Sequence, residues 1–393
     1  MYILNDTEIF SLDLIERLHQ QPHQFVIAIT GGGTSATSAL LAIPGASNTL
    51  LESIVPYSST SLQQYLGFMP AQAVSQITAR HMAMRAYLRA RELEPDGSVI
   101  GLGSTAAITT NRDRKGDDRC FVAVQSDHRT AEFSLVLDKS NDRTIQEQHC
   151  QKLILSAMAH ACGLEDTLED ALKGSSQDAE LAKKNSHTKN QALGTQMRFA
   201  NAPSQWQQLL VGATDSTHSG EALPQVLFPG AFNPLHDGHR KMVAYAEAKL
   251  GQQVTLEIST FNVDKPPLDY LDMQERVSWL QDHPHVFTNA PTFLDKSHLF
   301  PGAKFIVGYD TIVRIADPKY YSGSIIKRDA AIQSLVDNEH RFLVFGRSSG
   351  DKYLTLKHAE LPAALMGLCD EVSESEFRSD ISSSDIRAKS STK

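Results

Sequence analysis

Twice along the chain a short apolar run ends at a glycine-bearing turn and gives way at once to a helical pattern. Phe25-Val-Ile-Ala-Ile29 runs into Thr30-Gly-Gly-Gly-Thr34 and then a small-residue helix from Ser35 to Ala42. Gln225-Val-Leu-Phe228 runs into a turn rich in Gly, Asn and Pro, and then a helix from Arg240 to Leu250 with Met242, Val243, Ala246 and Leu250 on one face. A strand that is apolar throughout needs cover on both faces, which a sheet flanked by helices supplies. The alternation continues around both turns. Strands are expected at Ser98 to Leu102, Cys120 to Val124 and Phe133 to Leu137, with helices at Ala73 to Arg91 and Asp142 to Cys162. Further on, strands are expected at Gln253 to Ile258, Lys304 to Gly308 and Arg341 to Phe345, with a helix at Met273 to Leu280. The fold class is α/β, and such sheets bind ligands beyond the carboxyl ends of their strands.

A chain of 393 residues exceeds one ordinary core. The polar, aromatic-poor stretch from Glu165 to about Gly220 reads as a connector, with only Trp206 to Val211 apolar enough to dock. The expected division is therefore a domain at 1–164, a linker at 165–221 and a second domain at 222–393. A net charge of -9 argues against a surface that coats nucleic acid but leaves room for a small anionic ligand. Cys120, Cys150, Cys162 and Cys369 form neither a CxxC pair nor a disulfide framework. The first residues lack the pattern of a signal peptide, and no apolar run approaches the ~18 residues of a membrane span. A cytoplasmic protein without membrane partners is expected.

Chemistry concentrates in the second sector. His236 and His239 stand three residues apart where a strand ends and a helix begins, so both rings belong to one side of the first turn. Gly230 allows close backbone approach, Asn233-Pro234 shapes the turn, and Gly238 keeps bulk out of the space between the rings. Alone, the pair fits capping or surface histidines, a metal pair, or a polyphosphate site at a helix N-terminus. Near the C-terminus Asp380-Ile-Ser-Ser-Ser-Asp-Ile-Arg387 adds hydroxyls, backbone donors and an arginine suited to phosphate. Gly308-Tyr-Asp310 offers a strand-end acid for ribose hydroxyls or a metal, and Lys265 follows the second strand within reach of a phosphate.

Together GAFNPLHDGH and ISSSDIR resemble the HxGH nucleotidyltransferase superfamily, and most closely the nicotinamide or nicotinate mononucleotide adenylyltransferases, from Val226 to about Lys389. The resemblance implies a Rossmann-like parallel sheet. It implies that His236 and His239 contact the ATP phosphates, that Gly230, Ala231, Phe232 and Asn233 line the nucleotide through the turn, and that Ser382, Ser383, Ser384 and Arg387 bind the β- and γ-phosphates. Gly308 and Asp310 match the family's strand-end GxD, and Tyr320-Tyr321 fall where the family often places a base-stacking aromatic. The implied reaction is attack of a mononucleotide's 5′-phosphate on the α-phosphorus of ATP, with Mg²⁺, giving a dinucleotide and pyrophosphate. Phosphopantetheine adenylyltransferases usually carry lysine where Arg387 stands. Glycerol phosphate type cytidylyltransferases carry another serine and threonine motif, and the KMSKS of class I aminoacyl-tRNA synthetases is absent.

The first sector, from about Leu12 to Leu164, resembles the C-terminal domain of the competence-damage-inducible CinA proteins, whose active members deamidate nicotinamide mononucleotide. The likeness rests on Thr30 to Thr34, Ile43-Pro-Gly-Ala46, Val55-Pro-Tyr-Ser58 and Ala73-Val-Ser75. The family's active-site serine falls on Ala28 and its lysine on Leu62, so deamidation by that mechanism is not expected. Two roles stay open for the domain, a nucleotide site at Thr30 to Thr34 near Gly101 to Thr105 or a scaffold for a homo-oligomer, while the charge run Asn111 to Arg119 reads as a solvated face, with phosphate contact by Arg112 and Lys115 as the alternative. Two readings of the whole chain follow: an adenylyltransferase, with another phosphate acceptor or a cytidylyl transfer as variants, or a non-catalytic nucleotide-binding regulator.

Overall fold

The computed structural model describes residues 6–112, 115–164, 196–201, 223–261, 267–280, 283–349 and 352–379. The chain divides into two compact units, Met1–Gln207 with Asp269–Leu271, and Gln208–Leu268 with Asp272–Lys393.

In the first unit the elements run α1 (Asp6–His19), β1 (Gln24–Thr30), α2 (Ser35–Ala42), β2 (Leu50–Ile54), α3 (Ser59–Leu66), α4 (Gln76–Leu93), β3 (Val99–Ala107), β4 (Asp118–Gln125), β5 (Arg129–Leu137), α5 (Arg143–Ala161) and β6 (Gln196–Asn201). The described strands form one sheet in the order β2-β1-β3-β4-β5-β6. β1 pairs in parallel with β2 and β3, whereas β4, β5 and β6 continue the sheet antiparallel. Between β4 and β5 lie only Ser126, Asp127 and His128, too few for a crossover, so a hairpin is forced. One apolar core joins the sheet to α1, α2 and α5. On the other face α4 packs its alanines and Met82 against Ala28, Ala123 and Val99. Ser75 and Asp142 cap α4 and α5, each side chain accepting from a backbone amide of the first turn.

The sequence reading differs from this unit at two places. Gln196–Asn201, inside the segment read as a linker, is a strand in register with β5 from Arg129↔Asn201 to Ser134↔Gln196. Its signal was hidden because an exposed edge strand tolerates polar residues on one side, and Arg198 is held by Glu132 at 2.6 Å. Gly101 and Gly103, read as lying near a nucleotide site, serve packing. A Cβ on Gly101 would lie 2.1 Å from the Tyr87 backbone nitrogen, and one on Gly103 would lie 2.3 Å from the Ala79 carbonyl oxygen. α4 thus rests directly on the β3 backbone.

The second unit runs β7 (Val226–Pro229), α6 (Asp237–Leu250), β8 (Thr255–Ser259), α7 (Tyr270–Leu280), β9 (His285–Thr288), α8 (Phe293–Leu299), β10 (Lys304–Gly308), α9 (Tyr309–Ala316), α10 (Ile325–Asp337), β11 (Arg341–Phe345), β12 (Arg347–Ser349), β13 (Lys352–Leu354), α11 (Ala363–Met366) and β14 (Cys369–Val372). Its main sheet has the order β14-β11-β10-β7-β8-β9, with every pairing parallel. Phe305, Val307, Phe342 and Val344 face a core shared with α8, α9, α10 and α11. The alternate residues Ile306, Leu343 and Phe345 are buried as well, and on their side Tyr245 of α6 meets Phe345 edge-on at 5.6 Å. This is a doubly wound sheet whose direction of growth reverses between β7 and β10, and the crevice beyond the carboxyl ends of those two strands is where such sheets take ligands.

Candidate functional site

Both strands at the reversal point end in the motifs singled out from sequence. β10 pairs with β7 through Lys304↔Val226 and Phe305↔Leu227, and continuing that register brings Gly308 level with Gly230. The turn after β7 is anchored at its base by the Gly230 amide, which donates to the Glu257 carbonyl at 2.9 Å. Phe232 adopts φ 41 and tucks its ring inward at 2% exposure. A Cβ on Gly230 would meet that ring at 2.6 Å. Asn233-Pro234 is a cis bond within the turn. The Ala231 carbonyl accepts from the buried guanidinium of Arg276 on α7, a contact the sequence reading did not anticipate.

His236 sits at the N-cap of α6, its Nδ1 accepting from the His239 amide at 3.4 Å, which leaves Nε2 to carry the ring's N–H. The two imidazoles stack at 3.7 Å with 20° between their planes. His239 is further fixed edge-on to Phe228 at 5.8 Å and to Phe232 at 5.1 Å. Burial pushes the His239 pKa down to about 3, and the neighbouring His236 adds to the shift. Burial also lowers His236, against an upward pull from Asp237. Near neutral pH both rings are therefore uncharged and act as hydrogen-bonding groups rather than cations. The buried Nδ1 of His239 has no partner among the described residues. Gly238 is needed between them, since a Cβ there would lie 3.0 Å from His236 Nδ1 and 3.0 Å from Ser379 Oγ.

That second contact brings the residue just before the C-terminal motif to the helix start. Asp380 to Arg387, with Ser382, Ser383, Ser384 and Arg387, lies outside the described residues, as does Lys265. The segment leading to it is described and firmly docked. Glu376 accepts from Ser373, from the Tyr245 hydroxyl at 2.9 Å and from Lys249 at 3.1 Å, the latter two on α6. Hydrogen bonds, first from the Ser373 amide, hold its carboxyl down at about 2. Phe377 packs against Phe345 at 4.9 Å, and its carbonyl accepts from the Tyr353 hydroxyl at 3.0 Å. Ser379, one residue before Asp380, thus lies beside the start of α6.

On the other side of the reversal point Gly308 is the N-cap of α9, and Asp310 lies in that helix's first turn rather than on the strand. Its carboxylate pairs with Arg347, which sequence reasoning passed over although it stands two residues past the end of β11. Tyr320 and Tyr321 form a short 3₁₀ turn, where the Tyr321 hydroxyl donates to the Ile315 carbonyl at 3.0 Å and Lys319 lies over the Tyr320 ring. Among the described residues no three His, Cys, Asp or Glu side chains gather as a metal cage.

In the first unit the two positions matched to a serine and a lysine do come together, but as hydrocarbon. Ala28 and Leu62 are both buried in one cluster with Leu66 and Met82. The hydroxyl of Thr105, another candidate ligand, is committed to the Ala73 carbonyl at 2.7 Å. The turn Gly31 to Ser35 borders a cavity of about 410 Å³ lined also by Tyr57, Arg143, Thr144 and Glu147. Three donors of that turn are already used. The Glu147 carboxylate accepts from the Gly33 amide at 2.7 Å, the Thr34 hydroxyl at 3.2 Å and the Ser35 amide at 3.2 Å. A side chain of the chain itself occupies the position where a helix N-terminus would hold a phosphate.

Residues 227–389 match the family model described as cytidylyltransferase-like, a span that holds both the histidine turn and the serine-arginine motif. Solved structures similar to the chain include a competence/damage inducible protein from Agrobacterium tumefaciens, 16% identical, covering 42% of this chain and 98% of that one at a TM-score of 0.33. A CinA superfamily protein from Escherichia coli is 18% identical and covers 41% of this chain and 94% of that one at 0.31. A third, from Enterobacter cloacae, is 16% identical with coverages of 42% and 95% at 0.31. No curated protein matches the chain. No described helix is long and apolar enough to cross a membrane.

Proposed function

We propose that the second unit is a nucleotidyltransferase that moves AMP from MgATP to the 5′-phosphate of a mononucleotide, nicotinamide or nicotinate mononucleotide, giving a dinucleotide and pyrophosphate. The reading is carried by one observation: the segment entering the serine-arginine motif is docked so that Ser379 touches the space between His236 and Gly238. The described residue nearest that motif in sequence is thereby held at the helix start that carries the two histidines. An oxygen of the acceptor phosphate forms the new bond to the α-phosphorus. The bond to the bridging oxygen of the β-phosphate breaks, and its electron pair departs with pyrophosphate. His236 and His239, neutral and packed in place, together with the N-terminal dipole of α6, stabilise the charge that gathers on those oxygens. Ser382, Ser383, Ser384 and Arg387 hold the β- and γ-phosphates, Lys265 adds a cation, and Asp310 takes a ribose hydroxyl. Mg²⁺ arrives with the triphosphate. Catalysis is positioning and electrostatics, with no covalent enzyme intermediate.

The family match favours a second reading, cytidylyl transfer from CTP to another phosphate acceptor. One screen separates these. The purified chain is given Mg²⁺ with ATP or CTP and each candidate acceptor, and pyrophosphate is measured. Release with ATP and a pyridine mononucleotide is expected. Release only with CTP would replace the first reading by the second, and nucleotide binding without release in any combination would make the unit a regulator. For the first unit we propose a non-deamidating role, supported by the apolar pair Ala28 and Leu62.

A further inference from the structure

Asp310 poses a problem for any polyphosphate site. It stands at the reversal point of the sheet, in the first turn of α9, and about half of its side chain, 51%, is open to solvent. A carboxylate there is suited to a ribose hydroxyl, yet it repels a triphosphate that carries several negative charges. The repulsion is strongest where water is partly excluded, as it is when a nucleotide fills the crevice.

The sheet places an answer beside it. β10 and β11 are parallel with Gly308 opposite Phe345. Asp310 and Arg347 each stand two residues beyond that pair, so they leave the sheet edge at the same height. Nη1 of Arg347 donates to Oδ2 of Asp310, and the guanidinium is itself 48% exposed. Its base is fixed by a small antiparallel hairpin, in which Arg347 pairs with Leu354. A Cβ at the preceding Gly346 would lie 2.5 Å from the Tyr353 ring. Tyr353 also binds the Phe377 carbonyl, so the hairpin that carries Arg347 is braced against the segment entering the serine-arginine motif. Guanidinium has five N–H donors in a fixed fork and can hold a carboxylate while facing a second acceptor.

We propose that Arg347 is a positioning residue for the nucleoside triphosphate: by pairing with Asp310 it orients that carboxylate for a ribose hydroxyl and cancels its charge toward the polyphosphate. This rests on the nucleotidyltransferase reading. Loss of Arg347 exposes a bare anion to the triphosphate, and removing the Asp310 charge as well takes that anion away. A residue that only supported the fold would show no such relief.

The test is equilibrium binding of MgATP, and of MgCTP in parallel, to the full chain by titration calorimetry, for the unaltered protein, R347A, R347K, D310N and the double variant R347A/D310N. R347A is expected to weaken binding roughly tenfold, within the usual range of coupling between neighbouring groups. R347K is expected to restore part of the loss, and the double variant to bind more tightly than R347A. The R347A deficit should also shrink as salt rises from 50 to 300 mM, because the added repulsion is screened. An R347A affinity equal to that of the unaltered chain, or a double variant no better than R347A, would overturn the proposal and leave the function reading standing. Failure of the unaltered chain to bind either nucleotide would overturn both.

Discussion

Replacing His239 by Gln should remove a large part of the acid sensitivity of the second unit. The ring is buried among Phe228, Phe232 and His236, and its pKa falls from 6.5 in the unfolded chain to about 3 in the native one. As pH drops through 6.5 the unfolded ring takes up a proton, while the native ring stays neutral until about 3. Over that window the unfolded state binds more protons, so stability is present above 6.5 and is lost as pH falls. At about 1.4 kcal/mol per pKa unit, the loss between pH 7 and pH 5 comes to about 2 kcal/mol, because most of that interval lies below 6.5.

Trp279 lies on α7 of the second unit, so a W206F background makes its fluorescence a local reporter. Urea unfolding at pH 7, 6 and 5, followed in W206F and in W206F/H239Q, gives two stability profiles. The profile with His239 should fall about 2 kcal/mol further across that range than the profile with Gln, whatever the offset between them. His236 is common to both proteins, and His23 and His149, whose pKa values burial also lowers, lie in the other unit. Parallel profiles would refute the reasoning, since the ring would then titrate natively as it does when unfolded.

H239A is expected to lower turnover roughly 10²-fold, the scale for losing one preorganised donor to a charged transition state, as measured by pyrophosphate release. E376Q weakens the hold of Tyr245, Lys249 and Ser373 on the segment before Asp380, and should raise the KM for ATP several-fold with a smaller change in kcat. E147A removes the acceptor shared by Gly33, Thr34 and Ser35 and should destabilise the first unit by about 1–3 kcal/mol. In that variant inorganic phosphate should raise the melting temperature more than in the unaltered chain. Incubation with nicotinamide mononucleotide should release no ammonia above background, and enzyme-dependent release would show that another nucleophile replaces the residue lost at Ala28.

Strands buried on both faces were the most legible part of the fold. β10 and β11 fall where the apolar runs Lys304 to Gly308 and Arg341 to Phe345 place them, because a central parallel strand has no polar side to blur its limits. Edge strands gave no such signal. β2 includes Glu52 and Ser53, β6 is exposed at most positions, and β14 reads Cys-Asp-Glu-Val. The helix starts at His236 and Ser35 were readable because strand, turn and helix are contiguous in sequence. Their electrical partners were not readable, since Glu147 binds a turn 114 residues before it, Glu376 meets Tyr245 across 131 residues and Arg347 meets Asp310 across 37.

The two glycine turns look alike in sequence and differ in what remains for a ligand to do. A helix N-terminus presents unpaired amides and a partial positive charge, and sequence alone leaves open whether a ligand or the chain supplies the anion. At Gly33 to Ser35 the chain supplies it through Glu147, so a phosphate would have to displace a carboxylate held by three donors. At His236 to His239 the two rings are neutral, one has a buried nitrogen with no partner among the described residues, and the described part of the C-terminal segment brings the hydroxyl of Ser379 alongside. There the first-turn amide of His239 is held by the neutral His236 ring rather than by a carboxylate, although Asp237 lies in the same turn. The difference predicts that the nucleotide goes to the second turn, even though the first carries more glycines.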